Sequence, residues 1–336
     1  MTGISSMNIL LFEYITGGGL VDKVLPEDLA AEGRLMRDAL INELDNHALT
    51  VPVDVRLADK EAFPATASCT CLCVGSSADF QPWWCEVLQR VDHVWPIAPE
   101  TEGILASISR EIAKAGPGKL LGSAPETVAL AADKLLTYRH LRSHGIACVP
   151  TWNLSDFSRQ VPPPWVIKPK DGVGCEGVRK IMELPCPEPS GDDLIQPFIE
   201  GEVLSLSVLC DRGDAVLLAI NRQLMEERKG SLHLTGCLVN TLTDHAGSYQ
   251  GLCQRIATAL PGLWGYVGVD LIVRGGCPLI LEINPRLTLS YVGLSHALGE
   301  NVANLILALK HGDLCLDDIA QWRKQIKGME VWVPNH

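Results

Sequence analysis

The chain has 336 residues, 47% of them hydrophobic and 20% charged, which fits two or three packed units of a globular protein and excludes a disordered one. A formal net charge of −12 argues against binding a nucleic-acid backbone, which needs clustered Lys and Arg, so any polyanion must be held by local positive charge. No apolar run approaches the ~20 residues that span a bilayer, no signal-type leader opens the chain, and the twelve cysteines are scattered; a cytoplasmic protein with reduced thiols and no membrane association is expected.

Asn8 to Phe12 reads as a short buried strand running into Glu13-Tyr14-Ile15-Thr16 and three glycines, Gly17 to Gly19. A helical pattern starts at Pro26-Glu27-Asp28 and carries apolar residues from Leu29 to Leu44. Val51 to Leu57 and Cys69 to Val74 read as further strands, with helices near Phe80 to Val91 and Thr101 to Ala115. This alternation predicts a small parallel α/β unit ending near Gly116-Pro117-Gly118. Cys69, Cys71 and Cys73 share one strand face and lack the CxxC spacing of a zinc ribbon, so they read as buried thiols.

From Ser123-Ala124-Pro125-Glu126 a single helix is expected to pass through Asp133-Lys134 and end near Gly145. Trp165 to Pro169 reads as a strand carrying Lys168, followed by Asp171-Gly172-Val173-Gly174-Cys175-Glu176-Gly177, which contains G-x-G-x-x-G. A dinucleotide fingerprint must open a helix, whereas Val178 to Met182 reads as another strand. The context therefore favours a glycine flap between antiparallel strands, whose backbone N–H groups can meet phosphate.

Leu194 to Ile199 reads as a strand leading to Glu200-Gly201-Glu202, two acids at a turn that can bind ribose hydroxyls or simply face water. Val203 to Leu209 and Ala215 to Ile220 read as strands, the second delivering Asn221-Arg222-Gln223, with Arg222 a counter-charge for phosphate or carboxylate. After a helix from Gly251 to Leu260, the runs Tyr266 to Val273 and Leu279 to Ile283 flank Gly275-Gly276 as a β-hairpin. Folded symmetrically about Gly276, that hairpin sets Asp270 opposite Glu282, with Cβ atoms roughly 4.5–5.5 Å apart, and Asn284 on the same face. Two acids there are either solvated on an exposed hairpin or, if buried, need a cation between them. Two carboxylates and an amide oxygen suit Mg²⁺, a hard ion that completes its shell with water and phosphate. Leu294 to Leu309 reads as a helix covering the sheet.

In order, Lys134, Lys168, the glycine flap, Gln196 to Glu202, Arg222, Asp270, Glu282, Asn284 and Arg286 make a set that resembles the ATP-grasp superfamily of carboxylate–amine ligases, from about Lys119 to Gly312. The resemblance implies an α/β (α+β) ATP-grasp fold: an N-terminal Rossmann-like pre-ATP-grasp domain at 1–118, a small subdomain with the flap at 119–190, and a C-terminal subdomain with the metal site at 191–336. It implies ATP with Mg²⁺ or Mn²⁺, the phosphates held by Lys134, Lys168 and the flap glycines Gly172, Gly174 and Gly177. Gln196 and Phe198 would border adenine, Glu202 or Glu200 would bind ribose, and Asp270, Glu282 and Asn284 would hold metal. Arg286 would stabilise the transferred group, with Arg222 as the second catalytic cation.

Within that superfamily, Leu10 to Gly19, Asn221-Arg222-Gln223 and Glu282 to Gly293 resemble the tyramine–glutamate ligases of methanofuran synthesis, although Leu289 stands where that branch often has Thr. The resemblance implies small-molecule substrates, the γ-carboxylate of glutamate and the amine of tyramine or tyrosine, joined through an acyl phosphate, and leaves room for a homo-oligomer. Two other readings stay open: a ligase for a different acid and amine, and an idle nucleotide-binding module, against which the complete metal set argues.

Overall fold

The computed structural model describes residues 6–59, 69–159, 161–184, 193–322 and 328–333. The N-terminal part alternates strand and helix: β1 (Asn8–Glu13), α1 (Glu27–Glu43), β2 (Ala48–Asp54), β3 (Cys69–Val74), α2 (Ser77–Arg90), β4 (His93–Ile97) and α3 (Ile104–Ala115). Its strands form one parallel sheet in the order β3-β2-β1-β4. Strand β4 was not expected, because Pro96 interrupts the pattern; at the edge of the sheet a proline costs little, since an edge strand has N–H groups with no ladder partner to lose. The thiol expectation is corrected too. β3 is the opposite edge, and Cys71 and Cys73 are exposed while Cys69 is half-buried. The triple-glycine run is a structural turn: Gly17 donates to the Glu13 carbonyl (2.8 Å) and Gly19 to the Tyr14 carbonyl (2.9 Å), so these N–H groups are already used.

The single helix expected after Ser123 is two, α4 (Pro125–Ala132) and α5 (Lys134–Ser143). Asp133 breaks it: its backbone is extended, and its carboxylate caps α5 by accepting from the N–H groups of Leu135 (3.0 Å) and Leu136 (2.9 Å). Lys134 thereby becomes the first residue of a helix aimed at the large sheet.

That sheet contains β5 (Trp152–Asn153), β6 (Trp165–Pro169), β7 (Arg179–Ile181), β8 (Asp193–Pro197), β9 (Glu202–Asp211), β10 (Asp214–Arg228) and β11 (Ser231–Leu242). After α6 (Ser248–Ala259) come β12 (Gly265–Arg274), β13 (Cys277–Asn284), α7 (Leu294–Leu298), α8 (Val302–His311), α9 (Leu316–Trp322) and β14 (Met329–Trp332). Its order is β13-β12-β9-β10-β11-β7-β6-β8-β5, with β14 added beside β11. Leu204, Leu206, Val208 and Ile220 pack with Leu252 and Ile256 of α6, whereas the alternate residue Leu209 packs on the other face with a core that also holds Leu218 and Ile306. This second core is continuous with Ile9 and Leu40 of the N-terminal part, so the two sheets share buried apolar side chains. No described helix is long and apolar enough to cross a membrane.

Candidate active site

The flap joins β6 to β7, which pair antiparallel, so the glycine sequence does not open a helix. Gly174 and Gly177 adopt positive φ (62° and 71°), and so does Cys175 between them. Burial first, then the nearby carboxylates of Glu282 and Asp270, push the Cys175 thiol up to about 12, leaving it protonated and a poor nucleophile.

Asp270 and Glu282 are cross-strand partners in β12 and β13, as are Gly268 and Asn284. The route to that register differs from the symmetric hairpin. The loop is the two residues Gly275 and Gly276, both at positive φ (57° and 77°), and Arg274 pairs with Cys277. That turn alone would slide Asp270 one residue out of step with Glu282. A β-bulge in β13, where Leu271 pairs with Ile280 and Asp270 with Glu282, inserts Leu281 and restores the acids to opposition.

The two acids meet in a cavity of about 540 Å³ walled by the flap, β6, β8, β9, β10, β12, β13 and α1. Asn284 donates through Nδ2 to Asp270 (3.0 Å), and Gln223 donates through Nε2 to the other Asp270 oxygen (2.9 Å). Burial raises the Asp270 carboxyl to about 8, and the facing Glu282 adds to the rise. Burial also opposes the charge on Glu282, but Lys134 and Lys168 outweigh it and hold that carboxyl at about 2. Lys134 reaches Glu282 (Nζ–Oε2 3.4 Å) and donates to the Gly172 carbonyl at the root of the flap (2.6 Å). Lys168 is buried, which lowers its ammonium to about 8 even with Glu282 close by.

Arg286 places its Nε against both oxygens of Glu100 (2.8 and 2.9 Å), an acid from the N-terminal part that is itself buried. Glu32 of α1 lines the same cavity; burial raises its carboxyl and the charge of Arg286 partly offsets that. Gln196, Phe198 and Glu200 also lie in the wall. The Gln196 side chain donates to Thr151 Oγ1 (2.8 Å), and the ammonium of Lys180 sits 4.2 Å above the Phe198 ring.

Three expected residues do not line the cavity, although one of them, Gly177, still belongs to the flap. Glu202 and Arg222 are absent from the cavity wall and form an ion pair with each other. Side chains alternate along a strand: Val203 and Ser205 face the cavity, so Glu202 joins Leu204 on the α6 face, where its charge acts on Tyr249. Gln223 faces Asp270, so Arg222 points away. Glu32, Glu100 and Gln223 were not singled out from the sequence. Gln223 could have been, by applying strand alternation to Asn221-Arg222-Gln223, whereas nothing local marks Glu32 or Glu100.

Among the described residues no three His, Cys, Asp or Glu side chains could hold a metal by themselves. Two opposed, partly buried acids, with burial and the facing Glu282 raising the Asp270 carboxyl and an amide beside them, fit a divalent cation whose remaining shell comes from phosphate oxygens and water.

Comparison with known proteins agrees with this geometry. Family models match as a pre ATP-grasp 3 domain over residues 36–128 and an ATP-grasp domain over residues 131–290. The tyramine–L-glutamate ligase of Methanocaldococcus fervens is 30% identical over 294 residues, 85% of this chain and 89% of that protein. The chain belongs to the ATP-grasp ligase family. A second tyramine–L-glutamate ligase, from Methanocaldococcus jannaschii, is 28% identical over 295 residues, with 85% of this chain and 84% of that protein covered. Among solved structures, an ATP-grasp superfamily protein from Archaeoglobus fulgidus superposes with a TM-score of 0.70 at 25% identity, covering 90% of this chain and 88% of the other. An L-amino acid ligase from Bacillus licheniformis shares the fold (TM-score 0.63, 17% identity, 92% of this chain and 75% of that one). The ligase thus forms an amide from small molecules using ATP, and its family works with a divalent metal.

Proposed function

We propose that the enzyme joins the γ-carboxylate of L-glutamate to the amine of tyramine or tyrosine, with Mg²⁺ or Mn²⁺ beside ATP. The observation that carries the ATP chemistry is the facing pair Asp270 and Glu282 with Lys134 and Lys168 beside it in a cavity roofed by the glycine flap, and the substrates proposed are those that name the two similar ligases. A carboxylate is a poor electrophile. Its oxygen attacks the γ-phosphorus, ADP leaves, and the acyl phosphate formed is attacked by the neutral amine as phosphate departs.

Lys134, Lys168 and the N–H groups around Gly172, Gly174 and Gly177 would hold the phosphates, with adenine along Gln196 to Phe198. Glu200, the one of the two turn acids in the cavity wall, is the candidate for ribose. Asp270, Glu282 and Asn284 would hold the metal, which neutralises charge as the phosphoryl group moves. Arg286, fixed by Glu100, would face the phosphoryl or acyl phosphate oxygens. Glu32, an acid in the same wall, would be a candidate partner for the ammonium group of an amino-acid substrate. The flap excludes water, to which an acyl phosphate would otherwise be lost.

The test is ADP release with Mg²⁺, ATP and glutamate, comparing tyramine, tyrosine and no amine, with mass spectrometry of the products. ADP that depends on glutamate plus one amine, together with the condensed mass, is expected. Turnover only with other acids would overturn the substrate assignment.

A further inference from the structure

Two hydrogen bonds tie the flap to the N-terminal part. Asp171, the residue that opens the flap, accepts through Oδ2 from the backbone N–H of Glu102 (2.8 Å), and its carbonyl accepts from Thr101 Oγ1 (3.0 Å). Glu102 presents that N–H from a left-handed conformation (φ 54°), uncommon for a residue with a side chain. At the flap tip, a Cβ built on Gly174 would lie 3.4 Å from Leu29 Cδ2, so the tip comes near α1. The turn that holds Asp171 adjoins Glu100, the residue that fixes Arg286.

We propose that Asp171 is a positioning residue: with Thr101 and Glu102 it latches the glycine flap shut over the nucleotide, from the same turn that sets Arg286. Flap closure and placement of the cation at the transferred group then share one anchor, so the site is dry when the acyl phosphate exists. The inference rests on the ligase reading above for its chemical consequence, and on the structure alone for the latch.

The primary test is the dissociation rate of a fluorescent ATP analogue with Mg²⁺, followed by stopped flow in the full-length protein. Asp171→Ala removes the accepting carboxylate and should release the analogue about five times faster, the worth of one hydrogen bond of about 1 kcal/mol. Asp171→Asn keeps an accepting oxygen and should recover most of the wild-type rate. Thr101→Val, which leaves the flap sequence intact, should also speed release. Wild-type rates in both Asp171→Ala and Thr101→Val would overturn the latch. The second readout is ADP formed per amide: it should exceed the wild-type ratio in Asp171→Ala, because an ajar flap lets water take the acyl phosphate. If wild type forms no glutamate amide, the substrate reading fails while the dissociation rates still decide the latch.

Discussion

At the residue scale, the chemistry depends on which charges face the cavity. Glu282→Gln keeps the shape of the side chain but removes its charge, so kcat should fall on the order of 10²-fold or more while the thermal midpoint stays near wild type; near-native turnover would exclude a metal role. Lys168 gives a pH signature. Burial lowers its ammonium from 10.5 to about 8, so it loses its proton as pH rises through that value, and phosphate prefers the charged form. In buffer free of divalent cation, nucleotide affinity should therefore weaken as pH rises through about 8; Asp270, whose carboxyl also lies at about 8 in the same cavity, acts in the same direction, so Lys168→Arg should make the profile shallower, as a calorimetric titration would read. The same shift has an opposite sign for folding: between about 8 and the unfolded value of 10.5 the unfolded chain holds the extra proton, so the ligand-free protein gains stability as pH rises there. Arg222→Ala is the control. Its ion pair with Glu202 is exposed and outside the cavity, so kcat and KM should each stay within about twofold of wild type. Asp270, Glu282 and Lys168 stand out in the sequence because each is a charge among apolar strand residues, whereas Lys134, at the start of a helix, stood out only through the resemblance. Arg222 was read as a counter-charge from its residue type alone, which does not say which strand face it takes; it lies on the face opposite Gln223, off the cavity wall.

At the element scale, periodicity revealed the strands and most helices, but breaks in periodicity did not reveal their cause. Asp133 looked like one more residue of a helix, yet its side chain competes for backbone N–H groups and starts a new one. Asp133→Ala should cost about 1 kcal/mol of stability and raise KM for ATP by displacing Lys134, measurable by denaturant unfolding alongside initial rates. The hairpin shows a different limit. Its acids oppose each other as expected, but through a tight glycine turn offset by the Leu281 bulge, and two compensating irregularities leave no net trace in residue spacing. Strand β4 was hidden because the residue that argues against a strand, Pro96, sits where the argument has no force.

At the scale of the whole molecule, the fold class followed from alternating elements and ordered motifs, whereas the junction between the two sheets did not, since it depends on residues far apart in the chain. Glu100 and Arg286 lie 186 positions apart. Glu100→Gln should cost about 3 kcal/mol by leaving a buried guanidinium poorly paired, and should lower kcat as well; a drop in kcat without loss of stability would mean that the pair only orients the arginine. A second tie runs through Glu43 at the end of α1, whose carboxylate accepts from Tyr291 Oη (2.7 Å) and from the N–H of Ala303 (3.1 Å). Together with the shared apolar core, these ties make the Gly116–Gly118 turn a seam in the text of the chain and not in its mechanics. A front half grafted from a relative would need to bring its own counterparts of Glu43 and Glu100. Without them, a chimera could keep every motif of the nucleotide site and still lack a working enzyme.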